Sequence, residues 1–528
     1  MSGSSYNLLT EDWIPTMRAD GGVQLVGVRR ALYQAHELGD IRCMSPLSTA
    51  ALTRILLAVL YRACGPQTMD EWEEMLLAGR FPEERVTRYL DDWHERFDLF
   101  SPTRPFMQTP GLSMGHAGSL AQLAAETAAG NTPTLFDHTT DALPRPALPA
   151  EAARLLVTAQ AFALGFGKAG NAIVDGTTIQ RPYFADAICL RGVTLWLSGA
   201  SLFETLMLNL VPFPRDATGR PEWERPDPLE SCDRLTGKER ISRLAEGPAD
   251  RYAWTSRLLL LIQEDDGTVQ RAYFTQGREA DKVGRDPMKA YTASKEEGVY
   301  AIGLNASKAA WRDLTAYLET GNLGCQILQH AASQTDAGVL ERGAAMALNV
   351  VGLATDPGKA GKFVMWRHDR VSVPAAILAD RDAKEALATA LRDAEFVAFE
   401  LGGRMRSVAW WFLPPEGNPD MNDVASLAAA LDPRTAFWAR VEQHFAHLLT
   451  DLGRAEAEAL PVWRKRLEGE ARRAFAAACD RLGDSSRAIR AVAHVSALFS
   501  ADAAEASLKR KQATRKSRDA KTKGGKIA

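Results

Sequence analysis

The chain has 528 residues, with 46% hydrophobic and 24% charged residues and a net charge of −3. This length exceeds what one hydrophobic core supports, so we expect at least two domains of ordinary globular composition. No apolar run reaches the length of a membrane span and the first residues lack the features of a signal peptide, so we predict a cytoplasmic protein without a membrane partner.

The first third of the chain predicts a hairpin followed by helices. Two short apolar runs flank the turn at Asp20–Gly22, which is typical of a β-hairpin. Apolar residues then recur every three or four positions from Pro46 to Cys64, which predicts a helix. We also expect helices at Trp72–Leu77 and Glu84–Phe97.

The middle of the chain mixes helical and extended patterns. We predict a helix over Ala150–Phe162, a strand that begins after Tyr252, and a return strand from Val269 to Phe274. The segment Asp265–Gly267 supplies the turn between these strands. A further short strand is expected at Phe363–Arg370.

From about Ser372 onward the pattern is helical throughout. We predict a fold of the α+β class, with a mixed α/β domain over residues 1–372 and a four-helix bundle over residues 373–505. The four helical runs are Ala383–Phe412, Pro433–Leu452, Leu460–Leu482 and Ser486–Ala501.

The C-terminal end is strongly basic. From Lys509 onward it holds nine Lys and Arg against one Asp, a net charge of +8, so residues 1–508 carry −11 when the whole chain carries −3. We expect residues 506–528 to be disordered because they contain few apolar residues. The segment serves either as a solubilising end or as an arm that contacts phosphates.

Signals for catalysis are weak. The segment Gly352–Lys359 differs from a phosphate-binding loop, because five residues separate its glycines and alanine follows the lysine. The dipeptide His368–Asp369 matches the core of HD phosphohydrolases, but such sites need further histidines and an aspartate on helices, and this dipeptide lies in a predicted strand. His444, His447 and Asp451 have helical metal-ligand spacing, but one such histidine pair in a long helix arises easily by chance. The six cysteines contain no CxxC pair. We therefore predict no enzyme activity, catalytic residue, metal or cofactor, with an HD-type phosphohydrolase as one alternative.

Four segments instead have the composition of exposed loops suited to DNA. They are Thr134–His138, Gly165–Gly170, Thr275–Lys282 and Asp356–Lys362. Glycines allow a backbone to approach a crowded minor groove, and a Lys or Arg adds attraction to the phosphates. Stiff residues can part a base pair. A purely structural scaffold without DNA contact is the second alternative.

Several motifs, in order along the chain, carry a resemblance to a known family. They are NLLTEDWIP at 7–15, RPFMQTPG at 104–111, NTPTLFDH at 131–138, LGFGKAG at 164–170, AWTSRLLLL at 253–261, DPMKAY at 286–291, GLATDPGK at 352–359 and MWRHDR at 365–370. With its helical C-terminus, the chain resembles the CasA family, the large subunit of type I-E CRISPR Cascade complexes.

The resemblance implies a role in binding rather than in catalysis. Members of this family recognise the protospacer-adjacent motif (PAM) in double-stranded DNA, promote duplex opening and R-loop formation, hold the displaced strand and recruit a helicase–nuclease. The implied partners are the other Cascade subunits, the 5′ end of the crRNA, the target duplex and the displaced non-target strand. Base pairing with the guide would supply the remaining specificity.

The resemblance also implies roles for individual residues. A wedge that commonly presents glutamine in the family has Pro357 here, and the glycine loop has Phe166 and Lys168 where further glycines are expected. The implied contacts with the PAM region are Leu135, Phe136, Asp137, Gly165, Phe166, Gly167 and Lys168, with Arg278 as the first choice of basic finger and Lys282 as the second. The implied wedge is Asp356, Pro357, Gly358 and Lys359. Candidates for contact with the displaced strand are Arg404, Arg406 and Arg440.

Overall fold

The computed structural model describes residues 5–124, 144–165, 167–181, 183–226, 242–281, 284–296, 298–355, 363–413, 418–495 and 499. The chain divides into two compact units. The first unit comprises residues 1–340 and 346–372, and the second comprises residues 341–345 and 373–528.

The described part of the first unit contains short strands and helices of varied length. The helices are α1 (Val28–Tyr33), α2 (Pro46–Ala63), α3 (Met69–Ala78), α4 (Glu83–Asp92), α5 (Pro149–Phe162), α6 (Leu202–Asn209), α7 (Pro248–Tyr252), α8 (Leu314–Tyr317) and α9 (Gln326–Asp336). The strands are β1 (Ile14–Met17), β2 (Val23–Val26), β3 (Gly118–Ser119), β4 (Ala172–Val174), β5 (Thr177–Ile179), β6 (Thr194–Ser198), β7 (Ser242–Arg243), β8 (Arg257–Gln263), β9 (Val269–Gln276), β10 (Glu279–Ala280), β11 (Tyr291–Ser294), β12 (Gly298–Ala301), β13 (Ala345–Thr355) and β14 (Phe363–Pro374).

Helix α2 forms the centre of this unit. It is buried along almost its whole length and packs against α4, α5, α6 and α7. Pro46 occupies the first turn, where a missing amide hydrogen costs nothing. A mainly apolar helix that is buried on nearly all sides is stable only inside a protein, which agrees with the packing of the other helices around it.

Antiparallel pairing connects the predicted strands. The first hairpin pairs Ile14 with Val26 and confirms the predicted turn at Asp20–Gly22. Strands β8 and β9 pair Leu259 with Phe274, and β3 joins the other edge of β9. A second three-stranded sheet has the order β14-β13-β6. The strand expected at Phe363–Arg370 is present and continues to Pro374.

The second unit is helical over its described residues. Its helices are α10 (Ala375–Ala379), α11 (Arg381–Phe412), α12 (Met421–Ala430), α13 (Arg434–Gly453), α14 (Ala459–Asp480) and α15 (Ser486–Ala493). Asp380 begins α11 by accepting hydrogen bonds from two amides of its first turn. Helix α11 packs against α12, α13, α14 and α15.

The α+β class and the C-terminal helical region are confirmed. Helices α11, α13, α14 and α15 overlap the four predicted segments, whereas α10 and α12 were not among them. The arrangement of four helices as a bundle stays a prediction. Residues 506–528 lie outside the described residues.

Candidate nucleic-acid interface

The glycine loop, defined here as residues 165–170, follows the last turn of α5. The Gly165 amide donates a hydrogen bond to Asp186 Oδ1 at 3.1 Å. A Cβ at Gly165 would lie 2.2 Å from the backbone nitrogen of Asp186, so only glycine fits this close approach. The loop is therefore pressed against the backbone of residues 185–186.

The outer part of the glycine loop has a different geometry. Gly167 has a φ of +80°, and a Cβ there would meet open space. Gly167, Lys168 and Gly170 are exposed, while Ala169 is buried. The described outer residues thus present backbone and one cationic side chain to solvent.

Three further hydrogen bonds hold the glycine loop in place. The Phe184 amide donates to the Gly167 carbonyl at 3.2 Å, and the Thr275 hydroxyl donates to the Gly170 carbonyl at 2.7 Å. The Arg257 guanidinium donates to the Leu164 carbonyl at 2.9 Å, immediately before the loop. These partners belong to strands and to the segment after the loop, so hydrogen bonds connect the described loop residues to well-defined parts of the fold.

Arg257 is a site residue that sequence reasoning missed. It begins β8, its guanidinium lies 5.2 Å from the centroid of the Phe184 ring, and it also donates to Gln276 Oε1. Burial lowers the pKa of Arg257 to about 10, so the side chain remains charged at neutral pH. The only signal in the sequence was an arginine at the start of an apolar run.

The prediction of an exposed loop at Thr275–Lys282 is wrong for most of its length. Strand β9 continues to Gln276, and Thr275, Gln276 and Arg278 are all buried. Arg278 is 3% exposed, and its guanidinium lies 3.1 Å from Glu222 Oε2. A basic finger needs a cation that reaches solvent, so Arg278 does not have the expected geometry.

Several predicted site residues lie outside the described residues. These are Leu135, Phe136, Asp137, Phe166, Lys282, Asp356, Pro357, Gly358 and Lys359. Of the predicted contacts with the PAM region, the structure brings together Gly165, Gly167 and Lys168 in the glycine loop.

The three arginines predicted in the helical unit have different surroundings. Arg404 lies 4.4 Å from the centroid of the Phe499 ring and 3.9 Å from Glu400, so it is half-buried. Arg406 is exposed, and its position two residues further along α11 places it roughly 200° around the helix from Arg404. Arg440 is 48% exposed and lies 4.0 Å from Glu470 Oε2.

Glu470 gathers basic groups that sequence reasoning did not connect. The Glu470 carboxylate lies near Arg440, as described above. It also accepts a hydrogen bond from Arg473 at 2.5 Å and lies 3.2 Å from His444 Nε2. Arg440, His444 and Arg473 are here called the Glu470 cluster. The spacing of Glu470 and Arg473 on one helix was the available signal, but Arg440 and His444 come from α13.

The residues of the phosphohydrolase alternative have other partners. His368 Nε2 lies 2.9 Å from Asn349 Oδ1, and its ring stacks on Trp196. Asp369 accepts a hydrogen bond from the Ala310 amide and pairs with Arg367 at 3.1 Å. Among the described residues, no group of three or more His, Cys, Asp or Glu side chains is placed to hold a metal.

None of the described helices combines the length and apolar character needed to cross a bilayer.

Comparison with known proteins agrees with this fold over nearly the whole chain. A family model described as CRISPR-associated protein Cse1 matches residues 7–474. The CRISPR-associated protein CasA/Cse1 of Thermus thermophilus is 32% identical over 515 residues, which cover 92% of this chain and 95% of that protein. A crystal structure of CasA from Thermus thermophilus has 30% identity and a TM-score of 0.77, covering 93% of this chain and 98% of that one.

A more distant likeness shows the fold alone. A chain in a structure described as a CRISPR RNA-guided surveillance complex has 22% identity and a TM-score of 0.71, covering 93% of this chain and 98% of that one. The family model spans far more than half of the sequence and the Thermus relative exceeds 30% identity. The chain therefore belongs to the CRISPR-associated protein Cse1 family.

Proposed function

We propose that this chain is the large subunit of a type I-E CRISPR RNA-guided surveillance complex, and that it recognises the PAM in double-stranded DNA. It then promotes duplex opening and R-loop formation, and it recruits the helicase–nuclease that degrades the target. Its partners are the other Cascade subunits, the 5′ end of the crRNA, the target duplex and the displaced strand. The subunit acts by binding and catalyses no reaction.

The observation that carries this proposal is the exposed glycine loop, which hydrogen bonds attach to neighbouring strands and segments. A minor groove is only about 6 Å wide, so a bare backbone enters it more easily than side chains do. Gly167 and Gly170 present such a backbone, and Lys168 adds a charge that is attracted to the groove. The hydrogen bonds at Gly165, Gly167 and Gly170 attach the described residues of the loop to their neighbours in the fold, which lowers the entropic cost of binding DNA.

Recognition of this kind discriminates base pairs only coarsely. The minor groove shows similar acceptors for A·T and T·A pairs, and G·C pairs add one donor. A loop of backbone and lysine therefore separates A·T from G·C better than it separates A·T from T·A. The guide RNA supplies the remaining specificity by base pairing.

Duplex opening is assigned to the segment Asp356–Lys359, which lies between β13 and β14 in the sequence. Pro357 would act as a stiff wedge against the first base pair, since its side chain offers no hydrogen bond. The helical unit would then contact the displaced strand through exposed arginines, with Arg406 and Arg440 better exposed than Arg404.

The first test is binding of matched duplexes that differ only in the flanking trinucleotide. A complex reconstituted with this chain should discriminate among the flanks, and a complex without it should not. Equal binding to every flank in both complexes would identify the chain as a scaffold and overturn the proposal.

The second test addresses Lys168. We expect K168A to weaken duplex binding and to reduce the slope of log K against log salt by about 1, because one phosphate contact is lost. The matched control is a charge change at another exposed cation, R80Q just after α3, which should leave the slope unchanged. An unchanged slope for K168A would remove the glycine loop from the interface.

A further inference from the structure

A pocket of about 590 Å³ lies in the first unit, next to the base of the glycine loop. Its walls come from residues 185–192, from β10 with residue 281, and from the hairpin of β11 and β12. Asp186, which holds the Gly165 amide, belongs to the same wall. None of the predicted contacts described above uses this pocket.

Arg251 is the most unusual group lining the pocket. It is 6% exposed, and in the part of the chain that the structure describes no group accepts a hydrogen bond from its guanidinium. A Cβ at Gly284, another lining residue, would lie 2.2 Å from Arg251 Nη2, so the guanidinium rests against the Gly284 backbone. Because Arg251 lines the pocket, an anionic ligand bound there would accept hydrogen bonds from its guanidinium.

Lys289 adds a second buried cation to the same pocket. Its ammonium donates hydrogen bonds to the carbonyls of Ile188 and Arg191, and burial lowers its pKa. The nearest buried carboxylate, Asp286, is already paired with Arg54 at 3.0 Å. Burial opposes the charged form of Asp286, but the nearby Arg54, Lys289 and Arg251 together lower its pKa.

The other acidic side chains that line the pocket each have an interaction partner. Asp186 pairs with Arg191 at 3.0 Å and also accepts from the Gly165 amide. Glu279 and Asp281 each have interaction partners within the folded chain. The ion pair of Asp186 with Arg191 reduces the repulsion that a free carboxylate at this position would exert on an anion.

The size and the rim of the pocket indicate more than a small anion. A volume of about 590 Å³ lies in the range of pockets for small organic ligands. Val299 and Tyr300 line the pocket on β12 and remain 43% and 41% exposed. An exposed aromatic ring beside cationic groups is a surface on which a nucleobase can stack.

We propose that this pocket binds a nucleotide, with Arg251 and Lys289 contacting its phosphate and Tyr300 packing against its base. The site goes beyond the proposed function and does not depend on it, because PAM recognition is assigned to the glycine loop. The phosphate can belong to a free mononucleotide or to the end of a nucleic-acid strand.

The test is calorimetric titration of the full chain with 5′-AMP, with adenosine and inorganic phosphate as separate probes. We expect AMP to bind and the other two probes to bind at least about tenfold more weakly, since each lacks one half of the contacts. R251Q should weaken AMP binding about tenfold or more. G284A should do the same by displacing the guanidinium, while every charged group is retained. The control R271Q changes an exposed arginine of β9 and should leave AMP binding unchanged.

Two results would overturn the proposal. One is AMP binding that R251Q and G284A leave intact in variants with native circular dichroism and melting temperature. The other is absence of AMP binding, or equal affinity for AMP and inorganic phosphate. Competition by a 5′-phosphorylated single-stranded DNA hexamer would assign the site to a strand end, whereas AMP binding without such competition would assign it to free mononucleotides. DNA discrimination by the reconstituted complex is a separate measurement, so failure of one proposal does not imply failure of the other.

Discussion

Gly165 and Gly167 are two residues apart, yet they are glycines for different physical reasons. At Gly165 a Cβ would collide with the backbone of residues 185–186, whereas at Gly167 the constraint is a φ of +80° with open space around it. A collision with backbone is relieved only by moving the chain, while a positive φ costs about 1–2 kcal/mol for a residue with a Cβ. The two positions therefore separate close packing from backbone strain.

We expect G165A to lower the free energy of unfolding of the first unit by about 3 kcal/mol, and G167A by about 1 kcal/mol. Urea titration followed by circular dichroism measures both. The control is G115A, because Gly115 has neither a positive φ nor an atom within 4 Å of its Cβ position. Equal losses at Gly165 and Gly167 would show that the loop does not rest against residues 185–186.

His330 predicts a pH dependence of stability. It is 3% exposed on α9, its two ring nitrogens lack hydrogen-bond partners among the described residues, and Trp72 packs edge-on against it. Burial lowers the pKa of His330 from 6.5 to about 4. Between these values the unfolded chain binds a proton that the folded chain does not, so the free energy of unfolding decreases as the pH falls through this window.

Between pH 7 and pH 4, we expect the free energy of unfolding of the native protein to fall by roughly 3 kcal/mol more than that of H330L. Urea unfolding at several pH values measures this difference, and it isolates the histidine because other groups titrate in both proteins. The control H116Q changes an exposed histidine and should follow the native curve. Parallel curves for the native protein and H330L would contradict a lowered pKa.

At the scale of elements, apolar patterns predicted helices and strands well where the residues that pair with each other are near in sequence. Strands β8 and β9 were expected because two apolar runs flank Asp265–Gly267, and the structure pairs them. Arg278 shows the opposite case. Its neighbours are polar, which favours an exposed loop, but Glu222 lies 56 positions earlier in the sequence and neutralises it inside the unit.

For the candidate site as well, the features set by local sequence were predictable and those set by distant residues were not. Glycines and a lysine in sequence indicated the loop at 165–170, because its conformational requirements are local. Arg257 and Asp186, which hold that loop, were not predictable, since their partners depend on how α5, β8 and residues 184–187 meet. Helix α12, which has ten residues, was not predicted.

The Glu470 cluster predicts which arginines of the helical unit contact a single strand. Glu470 is nearly buried, Arg473 donates a hydrogen bond to it and Arg440 lies 4.0 Å from it, while the side chains of both arginines extend to solvent. Arg404 instead packs on Phe499. We expect R440Q and R473Q each to reduce the salt slope of single-stranded DNA binding by about 0.7, the value for one lost phosphate contact.

Fluorescence anisotropy with the full chain measures this slope across salt concentrations. R404Q is the informative comparison. We expect it to lower the stability of the helical unit, because Arg404 packs on Phe499, and to change the salt slope little. E470Q should strengthen binding, since it removes the negative charge beside the cluster while the arginines remain. A slope that responds to R404Q and not to R440Q or R473Q would place the strand on another face.

For the whole molecule, the distribution of charge favours local over global attraction of nucleic acid. Residues 1–508 carry −11 and the basic tail carries +8. A net acidic body repels DNA at a distance, so binding must depend on short-range contacts such as Lys168 and the Glu470 cluster.

The division into two units has a consequence for stability. Each unit has its own core, with α2 at the centre of the first and α11 packed on four other helices in the second. Leu467 on α14 is completely buried in the second core, and His330 is buried in the first. Chains with separate cores commonly unfold in more than one step.

We expect calorimetry of the full chain to show more than one transition. L467A should lower the melting temperature of one transition, because truncation of a buried leucine costs about 2–5 kcal/mol. G165A should lower the melting temperature of the other transition, since its collision lies in the first unit. The control K465Q changes an exposed neighbour of Leu467 on the same helix and should shift neither transition. A single transition that moves equally with L467A and G165A would contradict independent unfolding, because a defect in one core would then lower the stability of the whole chain.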